Sequence, residues 1–95
     1  MLNFRIMYYV YVLKSLKDGN LYIGYSSDLK ERLRDHNSNP KTDSYTFRHR
    51  PWSLVYYEAF SSKRDAVNRE KKLKEHGSSK HLLLQRIHSS ITGLE

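Results

Sequence analysis

From Tyr8 to Lys14 the chain reads Tyr-Tyr-Val-Tyr-Val-Leu-Lys, β-branched and aromatic without a breaker, and this pattern predicts a strand. Lys17-Asp18-Gly19-Asn20 supplies a turn, with Asp-Gly a strong hairpin signal, and Leu21 to Gly24 is the returning strand. Gly24 marks a place where the backbone bends or approaches something closely. Asp28, with Glu31 three residues on, has the form of a capping box and opens a helix running to about His36 and Asn37. Ser38 to Arg50, containing Pro40 and followed by Pro51, reads as a loop, and Trp52 to Phe60 is again strongly β. Ser62 and Asp65 cap a second helix that ends near His76-Gly77, with Gly as its stop. Ser78 or Ser79 caps a third, which carries Leu82, Leu83, Leu84 and Ile87. Residues 1–6, before a second Met at Met7, and 89–95 are expected to be flexible ends; 1–6 is either a lead-in strand or an extension upstream of a start at Met7.

The order is β-β-α-β-α-α. Strands with helices segregated around them imply an α+β fold built on a small, three-stranded, mostly antiparallel sheet. The 95 residues fit a single domain with a core from about 7 to 88. So short a chain buries only part of its surface, and its 13% aromatic content supplies much of the apolar area.

Charge and cysteine count narrow the class. Lys and Arg total 17 against 10 Asp and Glu, a net charge of +7, which suits a polyanionic partner, nucleic acid first; composition alone weighs a plain solubility charge about equally. There is no Cys, so disulfides and thiolate metal sites are excluded, and the composition fits a reducing, cytoplasmic setting. No stretch of about 20 apolar residues is present to span a membrane, and the basic residues do not lie opposite a bulky apolar helix face.

Some polar residues fall where apolar ones belong. Each helical residue advances about 100° around the axis. In the first helix Leu29 and Leu33 define the inward face, and Arg32 and His36, four apart, fall on it. A bland reading has His36 at a helix C-terminus favoured by the dipole and Arg32 extending to the edge. In the second helix Ala66, Val67 and Leu73 mark the apolar side, and Glu70 lies within their arc. An inward carboxylate is costly unless it is paired or binds a metal, and the bland reading pairs Glu70 with Arg32. Taken together, the strand tyrosines, Arg32, His36 and Glu70 are expected at one sheet face. That set contains a base, a cation for phosphate charge and an oxygen ligand for a hard metal, the parts that phosphodiester hydrolysis requires. Mg²⁺ suits a site with one or two carboxylates because it keeps several waters and takes further ligands from phosphate. No P-loop, dinucleotide fingerprint, zinc-finger spacing or His-Glu-x-x-His motif occurs.

From about Met7 to Ile87 the chain resembles the GIY-YIG nuclease family, in particular its small single-domain bacterial members. Tyr9-Val10-Tyr11 stands at the GIY element and Tyr22-Ile23-Gly24 is the YIG element unchanged. The run Ser27 to Asn37 matches the family's first helix with its Arg and His, and Ala66 to Lys74 matches the helix that carries its metal-binding Glu. The resemblance implies a three-stranded antiparallel sheet flanked by helices. It implies that Tyr11 and Tyr22 line a catalytic groove and that one of them orients or deprotonates the attacking water. It further implies that Arg32 stabilises phosphate charge, that His36 hydrogen-bonds a tyrosine or moves a proton, and that Glu70 holds one Mg²⁺ or Mn²⁺. The first element lacks the Gly and Ile of the family name, and Tyr25 stands where repair members of the family place a Lys.

The expected function is therefore a divalent-metal-dependent endonuclease acting on DNA, with structure selectivity in repair or recombination. Lys41, Arg48 and Arg50 of the loop, and Arg69, Lys71, Lys72 and Lys74 around Glu70, are expected to hold backbone phosphates, as a monomer or weak homodimer. The alternatives are a nucleic-acid-binding module that keeps the fold without the chemistry, and a purely structural use of the same residues.

Overall fold

The computed structural model describes residues 6–39 and 44–93. The elements are β1 (Tyr8–Ser15), β2 (Leu21–Ser26), α1 (Leu29–Ser38), α2 (Ser44–Arg48), β3 (Trp52–Phe60), α3 (Lys63–Glu75), α4 (Gly77–Arg86) and α5 (His88–Thr92). The strands form one sheet in the order β2-β1-β3, and both pairings are antiparallel. The α+β architecture with a three-stranded antiparallel sheet is the one the sequence predicts.

β1 lies in the middle and is covered on both faces. Val10, Val12 and Ile23 pack with Ala66, Leu73, Leu83 and Ile87 on one side. Tyr11, Leu13 and Trp52 pack with Leu29, Leu33, Tyr22 and Leu54 on the other. Successive side chains of a strand point to opposite faces, so a strand buried on both reads as a continuous apolar run. Val10 to Leu13 are accordingly each no more than 2% exposed. The β1–β3 register shifts between Val12 and Leu13: Val12 faces Tyr56, while Leu13 faces Leu54. Val55 is the extra residue of this bulge, which puts Leu54 and Tyr57 on the same face although they are three apart.

Two of the three predicted caps form; the one expected at Ser78 or Ser79 does not, because α4 begins at Gly77 behind His76, with no side-chain cap hydrogen bond. The Asp28 carboxylate accepts the Glu31 N–H at 3.1 Å, and the Ser62 hydroxyl accepts that of Asp65 at 3.3 Å. Three further local expectations are corrected. Gly77 does not stop α3 but begins α4; extended His76 (φ −117°, ψ 102°) ends one helix and starts the next, and Gly77 has no positive φ. The loop before β3 contains α2, held by Trp52 Nε1 donating to the Thr46 carbonyl at 2.7 Å. The end expected to be flexible is helical through Thr92: Ile91 packs on the first core, and its carbonyl accepts from Lys14 Nζ at 2.7 Å. Helices as short as α2 and α5 show too few turns for their periodicity to be read. Among the described residues no helix is long and apolar enough to cross a membrane.

Candidate active site

Tyr11 sits at the middle of the central strand, 2% exposed. Its partner in the β1–β2 register is Gly24. A Cβ on Gly24 would stand 3.0 Å from Tyr11 Cε1 and closer still to Cζ and Oη. Gly24 is therefore required for space: its missing side chain is where the phenol lies. No positive φ is involved.

The Tyr11 hydroxyl meets His36 Nε2 at 2.9 Å, and His36 Nδ1 meets Thr46 Oγ1 at 2.9 Å. His36 is 2% exposed and Thr46 is fully buried. His36 reaches this place because Leu29 and Leu33 turn the same face of α1 onto the second core. Asn37 fixes the helix end: its Oδ1 accepts the Trp52 N–H at 2.6 Å and its Nδ2 donates to the Trp52 carbonyl at 3.2 Å. The Tyr11–His36–Thr46 chain supports either direction of proton donation, the imidazole tautomer deciding which. Tyr22 closes the group, with its ring 5.0 Å from that of His36 and 6.4 Å from that of Tyr11, centroid to centroid. It is less buried than Tyr11. Arg32, one turn before His36, is half-buried, and its side chain makes no hydrogen bond or ion pair among the described residues.

The helix that carries Glu70 does not cover that sheet face. α3 covers the opposite face through Ala66 and Leu73. Glu70 Oε2 pairs with Lys74 Nζ at 3.2 Å, and Lys74 Nζ lies 5.6 Å from the centre of the Tyr22 ring, within cation–π range. The Glu70–Lys74 pair thus approaches the tyrosines at edge strand β2. The bland pairing with Arg32 is not formed: among the described residues Lys74 is the partner of Glu70. No group of three or more His, Cys, Asp or Glu able to hold a metal occurs among the described residues. Glu70 is a single carboxylate, a donor set that suits a hard ion retaining most of its water.

The expected phosphate contacts disperse. Arg69 is engaged on the opposite face, its Nε and Nη2 donating to Glu58 at 2.9 and 3.0 Å, while Tyr56 Oη donates to Glu58 at 2.9 Å. The Glu58 hydrogen bond raises the Arg69 pKa, and burial foremost, then Glu58, raises that of Tyr56. Lys72 lines a cleft between α3 and α4 with Arg86 and Ser79, and Lys71 is exposed. Arg50 stacks on Phe47, its Cζ 3.7 Å from the ring centre. Arg48 is exposed and bonds the Ser44 carbonyl. Lys41 lies outside the described residues. Asp18, hydrogen-bonded foremost to His49, has its pKa lowered.

Sequence reasoning missed Thr46, which lies in the stretch read as loop, and the clamp of Asn37 on Trp52. Asn37 followed His36 in the matched run, but nothing in its type announced a strand partner.

A family model described as the GIY-YIG catalytic domain matches residues 7–83. The chain belongs to the GIY-YIG family. Among curated relatives, a UPF0213 protein of Bacillus pumilus is 48% identical over 67 residues, 70% of this chain and 66% of its own length. Another, from Staphylococcus saprophyticus, is 42% identical over 77 residues, covering 81% of this chain and 92% of its own. The solution NMR structure of a UPF0213 protein of Bacillus halodurans superposes with a TM-score of 0.53 at 31% identity, covering 94% of this chain and 97% of that one. The GIY-YIG fold thus extends over nearly all of the chain. The YIG glycine has a physical account here, as the gap that admits the Tyr11 phenol.

Proposed function

We propose that this GIY-YIG domain is an endonuclease that hydrolyses DNA phosphodiester bonds with the help of one Mg²⁺ or Mn²⁺. The observation that carries this reading is the buried Tyr11–His36–Thr46 chain with Tyr22 against it. An imidazole fixed between a phenol and a hydroxyl is set to take or return a proton without reorienting. Tyr22, the more open phenol, meets the attacking water, while Tyr11 and His36 hold the groove and carry the proton inward. Arg32 has its guanidinium uncommitted among the described residues and answers the charge that grows on phosphate. Glu70 holds the metal ion, and a bound ion there supplies Lewis-acid stabilisation of phosphate charge. The partner is nucleic acid, and the +7 charge makes its binding salt-sensitive.

The test is cleavage of supercoiled plasmid and of a branched duplex with Mg²⁺, Mn²⁺ or EDTA. Cleavage should need the metal, and Glu70→Ala and Arg32→Ala should each abolish it while melting like wild type. Equal cleavage by Glu70→Ala sinks the site assignment. The engagement of Glu70 by Lys74 favours one second reading, a nucleic-acid-binding module without turnover. Tight binding with no product under either metal is its signature.

A further inference from the structure

On the same sheet face as Tyr11, toward the beginning of α1, lies a cleft of about 420 Å³ whose walls include Tyr9, Leu29, Lys30, Leu54 and Tyr57. This volume falls in the range of about 300 to 1,000 Å³ usual for small-ligand sites. The cleft adjoins the candidate groove directly. Tyr9 is two residues from Tyr11 on β1, so it points to the same face about 6.6 Å away along the strand. Tyr57 is the cross-strand partner of Tyr11 in the β1–β3 register. The Tyr9 and Tyr57 rings meet edge to face, with centroids 5.7 Å apart at 72°.

Tyr57 is 52% exposed. Neither it nor Tyr9 makes a side-chain hydrogen bond among the described residues. An exposed phenol ring lining a cleft beside Leu54 covers apolar surface inefficiently, yet it offers a π-face to a flat ligand. Lys30 supplies a cation at the rim. Asp28, also at the rim, already accepts the Glu31 N–H, which leaves the Lys30 side as the approach for a phosphate.

We propose that this cleft is a stacking subsite for one unpaired nucleobase, next to the phosphate that the nuclease reading places beside Tyr11. It rests on that reading for its ligand class, and it names the substrate as nucleic acid with an unpaired base at the cut, such as a single strand, flap or branch. Three features select a base over other flat ligands: an aromatic wall that tolerates any base, a cation for the flanking phosphate, and continuity with Tyr11 at a spacing of about one nucleotide. A fully paired duplex keeps its bases stacked inside and cannot fill the site without unstacking one.

The test is fluorescence titration of the full chain with a single-stranded oligonucleotide carrying 2-aminopurine, in EDTA so that nothing is cut, against a blunt duplex of the same sequence. Wild type should quench the analogue on binding. Tyr57→Leu keeps apolar cover without a π-face. It should lower the single-strand to duplex affinity ratio about 5- to 150-fold, the scale of one lost base–aromatic stack. Tyr57→Phe should restore it, and Tyr9→Leu should repeat the loss. An unchanged ratio in both Leu variants, or equal loss in Tyr57→Phe and Tyr57→Leu, overturns the proposal. A wild-type protein that quenches in EDTA yet cleaves nothing in the separate assay with Mg²⁺ or Mn²⁺ overturns the nuclease reading and leaves this site standing. One that cleaves but never quenches does the reverse.

Discussion

Gly24→Ala adds one methyl group to the YIG element, and the structure says what it meets. The new carbon stands 3.0 Å from Tyr11 Cε1 and nearer to Cζ and Oη, so the ring must move. It has nowhere cheap to go. Tyr11 is 2% exposed, flanked by Tyr22, and tied to His36 Nε2 at 2.9 Å. Overfilling a packed site costs about 1–3 kcal/mol. Pulling the phenol off a buried imidazole costs about 1–3 kcal/mol more. The expected loss is therefore about 2–6 kcal/mol, a large part of the roughly 5–15 kcal/mol that holds a domain folded. For a chain of this size that lowers Tm by roughly 10 °C or more. The assay is urea denaturation and thermal melting, with two glycines as internal controls. At Gly77 nothing lies within 4 Å and φ is not positive, so Gly77→Ala should be neutral or stabilise by up to about 1 kcal/mol. Gly19 also faces open space but has φ +79°, so Gly19→Ala should cost about 1–2 kcal/mol through the backbone alone. Gly24→Ala melting within about 0.5 kcal/mol of wild type would refute the claim that this glycine is a socket for the phenol. So would a loss no larger than that of Gly19→Ala.

Thr46→Val removes the hydroxyl that bonds His36 Nδ1 and should cost about 1–3 kcal/mol in denaturation. If the imidazole works through its orientation, nuclease kcat should fall while KM stays, and an unchanged kcat and pH profile contradicts this. Tyr56 holds its proton above the ordinary 10.0 because of burial and then Glu58, so the folded state binds more protons than the unfolded one in that window. Stability should be intact below about pH 10 and fall as pH rises through the folded pKa; Tyr56→Phe should flatten this decline in denaturation midpoints from about pH 9 to 11. Asp18 has a depressed pKa through its His49 hydrogen bond, so its contribution is present above the ordinary 3.8 and lost as pH falls through the folded value. Asp18→Asn should remove that part of the acid sensitivity in melting curves, and identical acid limbs would count against it.

Much of the site was legible in the chain because helical periodicity is local. Leu29 and Leu33 fix the inward side of α1, and Arg32 and His36 then follow by rotation about the axis. The caps at Asp28 and Ser62 and the Asp-Gly hairpin were legible for the same reason, since their partners lie within three residues. Glu70 shows where this stops. Its place inside the arc of Ala66, Val67 and Leu73 turned it inward, but Val67 is 39% exposed, so Glu70 stands at the margin of the buried stripe, its side chain 23% exposed. Periodicity says which side of a helix faces in; it does not say which face of the sheet the helix covers.

The three strands, the longer helices α1, α3 and α4, and the family's residues in their order follow from the chain alone. Packing between distant segments sets α3 behind the sheet, engages Arg69 with Glu58 and Glu70 with Lys74, and brings Thr46, from a stretch read as loop, to complete the Tyr11–His36 chain. It also decided, through the β3 bulge, that Tyr57 shares a face with Tyr9 and Tyr11. The physical reason is common to all of these. Backbone preferences and periodicity act over a few residues, whereas face, register and ion-pair partner are fixed by packing between segments far apart in the chain.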